Sequence, residues 1–312
     1  MSALICGSMA YDTIMVFHSQ FKRHILPEQI HILNVAFLVP EMRREFGGCA
    51  GNIAYALKLL GGAPLIMATL GEDGASYMTR LEKLGIGTRY IRTIPGAFTA
   101  QAFITTDLDD NQITAFHPGA MSFSHQNLVR DAVSEAKLGI VAPDGKQGML
   151  QHVHGFAAAG VPFIFDPGQG LPMFSGEELI ECLKLASYCT VNDYEACLLS
   201  EKTGKSIEEL ATLLDGLIVT LGGQGSKIHA KGQVIEVPCV PVENLVDPTG
   251  CGDAYRGGLI YGLLEGWGVE KSARLASTMG SIKIAHRGGQ NYSVSREEIA
   301  TRYAAAFGER PW

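Results

Sequence analysis

Along most of the chain, short apolar runs alternate with stretches whose apolar residues recur at helical spacing. Runs at 4–10 (LICGSMA), 64–70 (PLIMATL), 138–143 (LGIVAP), 161–166 (VPFIFD), 188–192 (YCTVN) and 216–222 (GLIVTLG) are brief and mostly rich in Val, Ile or Leu. Gly, Pro, Asp or Asn punctuates them, the pattern of strands buried on both faces. Helices are predicted over 51–60, 74–84, 146–159, 175–187, 206–215, 250–265 and 269–286. Such alternation implies right-handed βαβ units and an α/β fold, a doubly wound, mainly parallel sheet with helices on both faces. Sheets of this kind bind ligands beyond the carboxyl ends of their strands.

Residues 13–46 and 97–117 break the rhythm. They hold strand-like stretches (QIHILNVAFLV, FTAQAFITT and QITAF) with no helix between them, as for a small antiparallel sheet inserted into the main domain. Pattern alone leaves two readings, a lid over the ligand site or a peripheral hairpin. No low-complexity linker or repeat divides the chain, so residues 1–312 are read as one domain carrying these insertions.

Composition narrows the class. No apolar run reaches the roughly 18–20 residues a membrane span needs, and the segment MSALICGSMAYD has neither the basic region nor the cleavage site of a secretory signal. A net charge of −7 without a Lys/Arg cluster argues against a nucleic-acid partner. The seven cysteines are odd in number and include no C-x-x-C pair, which points to reduced thiols and a cytoplasmic protein rather than a disulfide framework or structural zinc.

The segment with most chemistry is Val246-Asp247-Pro248-Thr249-Gly250-Cys251-Gly252-Asp253, followed by the helical run AYRGGLIYGLL. Small residues at a helix start let backbone N–H groups converge on an anionic oxygen. A carboxylate in that first turn can take a proton from an attacking hydroxyl. The same residues also fit a plain tight turn with an Asp favouring the helix dipole. Gly47-Gly48-Cys49-Ala50-Gly51-Asn52 reads either as a backbone surface for a ligand with Asn52 meeting hydroxyls, or as a turn feeding the next helix. Asn192-Asp193-Tyr194-Glu195 reads as a phosphate- or ion-organising turn or as a capping box. Thr220-Leu221-Gly222-Gly223-Gln224-Gly225-Ser226 reads as a phosphate turn or a hairpin. Thr203-Gly204-Lys205-Ser206 lacks the first glycine of a P-loop, because position 199 is Leu, and no G-x-G-x-x-G follows the first strand. His152 and His154, two apart on a helix, diverge and do not pair on a metal. Asp166, at the end of its strand, shapes a pocket floor without an evident direct role.

In this order and over nearly the whole length, the motifs resemble the ribokinase-like (PfkB) family of carbohydrate and nucleoside kinases. Asp-x-Thr-Gly-x-Gly-Asp opening a C-terminal helix is similar to the family signature, with Cys251 where Ala is usual. The resemblance implies a ribokinase-like fold with a small β-sheet lid, and ATP as phosphoryl donor. It implies Asp253 as catalytic base beside an anion hole of Gly250, Cys251 and Gly252. Asp12, Gly47, Gly48 and Asn52 would bind the acceptor, with Asp12 clamping ribose hydroxyls. Asn192, Thr220, Gly222 and Gly225 would hold the nucleotide, and Glu195 would organise Mg2+ through water. Asp247 and Thr249 match positions that hold a monovalent cation such as K+ in some relatives, although the rest of that ligand set is not evident here.

Relatives divide by acceptor. Sugar kinases of the family carry Lys after the Gly-Gly pair and Asn two before the clamp Asp, where this chain has Cys49 and Ala10. The lid segments are apolar and aromatic instead (Phe37, Leu38, Val39, Phe46, Phe103, Phe116), as a stacked base requires. GSMAYD, GGCAGN and DPTGCGDAYRGGL together resemble bacterial PfkB-type adenosine kinases, which implies adenosine as acceptor and a place in purine salvage. A free pentose or hexose is the alternative. A third reading, a non-catalytic relative, is disfavoured because Gly250, Gly252 and Asp253 are all present. Partners would be small molecules, with the chain a monomer or homodimer.

Overall fold

The computed structural model describes residues 2–25, 34–109 and 111–312. The elements run β1 (Ser2–Cys6), β2 (Ala10–Val16), β3 (Glu41–Gly47), α1 (Cys49–Leu59), β4 (Ala63–Leu70), α2 (Ala75–Lys83), β5 (Gly87–Thr93), β6 (Ala100–Thr106) and β7 (Gln112–His117). There follow β8 (Leu138–Val141), α3 (Lys146–Ala159), β9 (Phe163–Phe165), α4 (Gly176–Leu185), β10 (Tyr188–Asn192), α5 (Asp193–Thr203) and α6 (Ile207–Ala211). The last third holds β11 (Gly216–Thr220), β12 (Ser226–Ala230), β13 (Gln233–Val237), α7 (Cys251–Leu264), α8 (Val269–Ile284) and α9 (Arg296–Phe307).

A nine-stranded sheet has the order β13-β12-β11-β10-β9-β8-β1-β4-β5, parallel except for the β12–β13 hairpin at one edge. Apolar strand residues alternate between two cores. Ala3 and Ile5 pack with α1, α7 and α8 on one face, and Leu4 and Cys6 with α3, α4 and α5 on the other. The chain winds outward in both directions from the β1/β8 pair, so the crevice at their carboxyl ends is the topological switch point. Helix α7 lies very close to α8. A Cβ at Gly258 would stand 2.7 Å from Ala276 Cα, and one at Gly262 2.7 Å from Ser272 Cα.

The α/β expectation and the separate small sheet both hold, with corrections. The apolar run 4–10 is not one strand, because the backbone leaves the main sheet at Gly7 and a new strand starts at Ala10. The small sheet has the order β3-β2-β6-β7 and is mixed, not antiparallel, since β2 and β6 run parallel. Antiparallel pairing is enforced only on strands joined by a tight turn, and the long excursion between β2 and β6 leaves their orientation open. Of the expected strand at 29–39, residues 29–33 lie outside the described residues and 34–39 form no strand; the pairing segment is the more polar Glu41–Gly47. Helices α5 and α9 follow capping boxes at Asn192 and Ser295, a signal that apolar periodicity alone did not carry.

Candidate active site

Gly250 supplies the turn that starts α7. Its φ of 76° is in the left-handed region, where a side chain would be strained. The Cys251 N–H is taken by the Pro248 carbonyl at 3.1 Å. Among the described residues the N–H groups of Gly250, Gly252 and Asp253 have no partner, and they stand at the positive end of a 14-residue helix. At the loop where the sequence led us to expect an anion hole, three N–H groups are thus unengaged, and Cys251 contributes its turn rather than a free donor.

Asp253 sits in the first turn of α7. Its Oδ2 accepts from Asn52 Nδ2 at 2.8 Å. Burial pushes its pKa up to about 6, against the Asn52 hydrogen bond and the nearby Arg256 cation. A carboxylate there is a working base near neutral pH. Asn52 is itself held, its Oδ1 accepting from Gln290 Nε2 at 3.1 Å. Gln290 Nε2 also donates to Tyr77 Oη at 2.6 Å, and Tyr77 donates to the Gly47 carbonyl at 2.7 Å. Asn52 thus orients the carboxylate through one of its two amide hydrogens.

Asp12 lies on β2 beside Gly47, where a Cβ would come within 2.5 Å of its Oδ2. Gly48, at φ 85°, lets the backbone turn into α1 against Ser8 and Ala10. Burial pushes the Asp12 pKa up to about 6, aided by the charges of Asp253, Glu45 and Asp247. The negative charge around Asp12 favours a neutral ligand that donates hydrogen bonds, and opposes an anionic one.

On the other side of Asp253 a cavity of about 600 Å³ is walled by Val240, Val242, Leu245, Tyr255 and Ile284, with Thr220, Gly222, Gly225, Cys251 and Gly252 along its lining. The predicted nucleotide turn and anion hole therefore share one apolar cavity. Asn192 and Glu195 realise the capping box: Asn192 Oδ1 accepts from the Glu195 N–H at 2.7 Å, and Glu195 Oε2 from the Asn192 N–H at 2.8 Å. One Glu195 oxygen remains for an ion. Among the described residues no three His, Cys, Asp or Glu gather as a metal site. His152 is buried, with its Nε2 3.1 Å from the Asn127 carbonyl.

Two basic residues set inside apolar runs are central. Arg256, one turn beyond Gly252, makes a buried two-pronged ion pair with Asp166, Nε to Oδ2 at 2.8 Å and Nη2 to Oδ1 at 2.9 Å. It also donates to the Gly252 carbonyl at 3.3 Å, so the pair holds the anion loop from below. Lys283 closes the loop from behind. The available signal was a lone charge inside an apolar run, at FIFD, AYRGGL and SIKIA. The Asp247 carboxylate accepts from the N–H groups of Thr249 (2.9 Å) and Gly288 (2.7 Å), which fixes the loop before the helix.

Among the aromatics of the small sheet, register separates the faces. Asp12 pairs with Glu45 and Ala102, and Ala102 with Phe116, so Phe116 shares the Asp12 face. Phe46 and Phe103 are on the opposite face, and Phe46 packs against Tyr11 and Tyr77 at 5.8 and 5.0 Å between ring centroids. Phe37 packs on Phe17 and Phe21. Leu38 is exposed and Val39 half-buried in the segment before β3. The apolar surface beside Asp12 is built from Ile14, Ala102, Ile104 and Phe116.

A family model described as pfkB family carbohydrate kinase matches residues 9–296. A nucleoside kinase of Methanocaldococcus jannaschii is 29% identical over 272 residues, covering 86% of this chain and 89% of that protein. The structure of Burkholderia thailandensis nucleoside kinase in complex with inosine is 54% identical, with a TM-score of 0.89 and 99% of each chain covered. A probable fructokinase-4 of Arabidopsis thaliana is 26% identical over 78% of this chain and 82% of that protein.

Proposed function

The chain belongs to the pfkB carbohydrate kinase family, a kinase moving phosphate to a hydroxyl of a nucleoside or sugar, and from that premise we propose that it transfers the γ-phosphoryl group of ATP to the 5′-hydroxyl of purine nucleosides, adenosine and inosine among them. The observation that carries the reading is the position of Asp253, a carboxylate titrating near pH 6 at a helix start with free N–H groups, between the apolar cavity and Asp12. Asp253 takes the hydroxyl proton as the oxygen attacks. The N–H groups of Gly250, Gly252 and Asp253 hold the charge on the transferred group, and ADP leaves toward the cavity. Mg2+, held on the phosphates and through water on Glu195, would offset negative charge on the donor. Asp12 accepts from the ribose hydroxyls, and Asn52 keeps Asp253 aimed.

The likeness to an inosine-bound nucleoside kinase supports a nucleoside over a free sugar, as does the apolar strip of Ile14, Ala102, Ile104 and Phe116 beside Asp12. Phosphate transfer from ATP to adenosine, inosine, ribose and fructose tests this. Burying a base gains a few kcal/mol, so nucleosides should bind roughly 10²-fold more tightly than ribose. Equal or better use of ribose or fructose would overturn the reading.

A further inference from the structure

Lys283, near the end of α8, has a side chain that is 0% exposed. Its Nζ donates to the Asp247 carbonyl at 2.7 Å and the His286 carbonyl at 3.0 Å, and stands 4.0 Å from Asp247 Oδ2. Two backbone carbonyls and a carboxylate around a buried positive centre form the donor set of a monovalent cation site. The two loops it joins are those that frame the base. Residues 246–249 lead into the anion hole, and 285–288 are pinned by the Gly288 N–H on Asp247. The next residue, Gly289, lies against Gly250 and Asn52. The potassium position implied by Asp247 and Thr249 does not fit this chain, because the Asp247 carbonyl is engaged by Lys283 and its carboxylate by Thr249, Gly288 and the ammonium.

We propose that the Lys283 ammonium is a tethered replacement for the monovalent cation, so that this kinase holds its anion loop without potassium. An ammonium has the charge and nearly the size of a potassium ion, and here it donates to two backbone carbonyls, at 2.7 and 3.0 Å. Covalent attachment removes the dependence on ion concentration. Lys283 acts on the reaction through the loop and is a positioning residue.

The inference rests on the kinase reading, so its test has one arm that needs no turnover. Wild-type protein, Lys283→Ala and Lys283→Met are compared in potassium, ammonium and choline chlorides at equal ionic strength, by kinetics with the best acceptor and by thermal unfolding. The wild type should vary by less than about twofold in kcat across the salts. Lys283→Ala should lose at least about tenfold in kcat in choline, as expected from unsatisfied buried carbonyls, and regain most of it in potassium or ammonium. Its melting temperature should rise in those two salts alone. Lys283→Met fills the space without charge and should not be rescued by any salt. Wild-type activity that rises about tenfold with potassium would overturn the proposal, as would a folded Lys283→Ala blind to every cation in both measurements. If no acceptor is turned over, the function reading fails, while the melting profiles still decide the fate of Lys283.

Discussion

The two sides of Asp253 are built in opposite ways. The donor side is a walled apolar cavity made by one stretch of chain, from Thr220 to Ile284, with α7 and α8 packed closely behind it. The acceptor side is assembled from segments far apart in sequence, Ala10–Val16, Glu41–Gly47, Asn52 and Ala100–His117, joined by strand pairing. Charge differs as well: carboxylates crowd the acceptor side, whereas the donor side ends on free N–H groups. A contiguous, rigid half suits a constant ligand such as ATP, and a composite half lets the other ligand vary between relatives.

The sharpest way to break this picture is at the joint. Asp253→Asn should lower kcat by roughly 10²–10⁴-fold with little change in affinity for either substrate, the usual worth of a general base. Steady-state kinetics paired with titration calorimetry checks it, and near wild-type turnover would remove Asp253 from the mechanism. Next in size is the floor of the donor half. Asp166→Ala strands the buried Arg256 cation, which should cost about 3–5 kcal/mol of stability in denaturant unfolding. A loss below about 1 kcal/mol would mean that the pair is no keystone.

Two substitutions should separate the sides. Asp12→Ala removes hydrogen bonds to a charged acceptor group, each worth about 1.5–3 kcal/mol, and should raise the acceptor KM about 10–100-fold while leaving the ATP KM alone. Gly280→Leu does the converse. A Cβ there meets only Cys251 O at 3.7 Å, so a larger side chain enters the cavity and should raise the ATP KM about tenfold without touching acceptor binding. Changes in both constants for either variant would erase the division. The smallest expected effect is on pH. Activity requires ionised Asp253 and should fall as pH drops through about 6. The Asn52 hydrogen bond holds that pKa down, so Asn52→Ala should move the acid limb of the kcat/KM profile to higher pH. An unmoved or lowered limb would detach Asn52 from the base.

Legibility in the sequence followed the same division. The donor side and base lie in short contiguous motifs, so Gly250, Gly252, Asp253, Thr220, Gly222 and Gly225 were readable as neighbours in space. Six strands of the main sheet were readable because each is a largely apolar run, whereas the polar edge strand β5 (GTRYIRT) carries no such signal. The small sheet was readable as such but its faces were not, because its strands are half polar and depend on register: the aromatic content of 97–117 was visible, but not that Phe103 and Phe116 point to opposite sides. The roles of Arg256, Asp166 and Lys283 were not legible because each lone charge finds its partner far along the chain, 90 residues away for Arg256 and 36 for Lys283.

Gly258 and Gly262 leave no slack between α7 and α8. A methyl group at either would press on the backbone of the facing helix and tilt the arm that carries Asp253. The outer strands of the small sheet carry no such restriction, Gly47 and the buried Tyr11 apart, and β7 is exposed along its whole length. Heritable change is therefore cheap at one end of the crevice and expensive at the other. Divergence within such a lineage should collect in the lid, altering which hydroxyl compound is accepted while the phosphoryl chemistry passes on unchanged. For the same reason, a library randomised over Ala100–His117 with α7 and α8 fixed is the shortest route from this enzyme to a new acceptor.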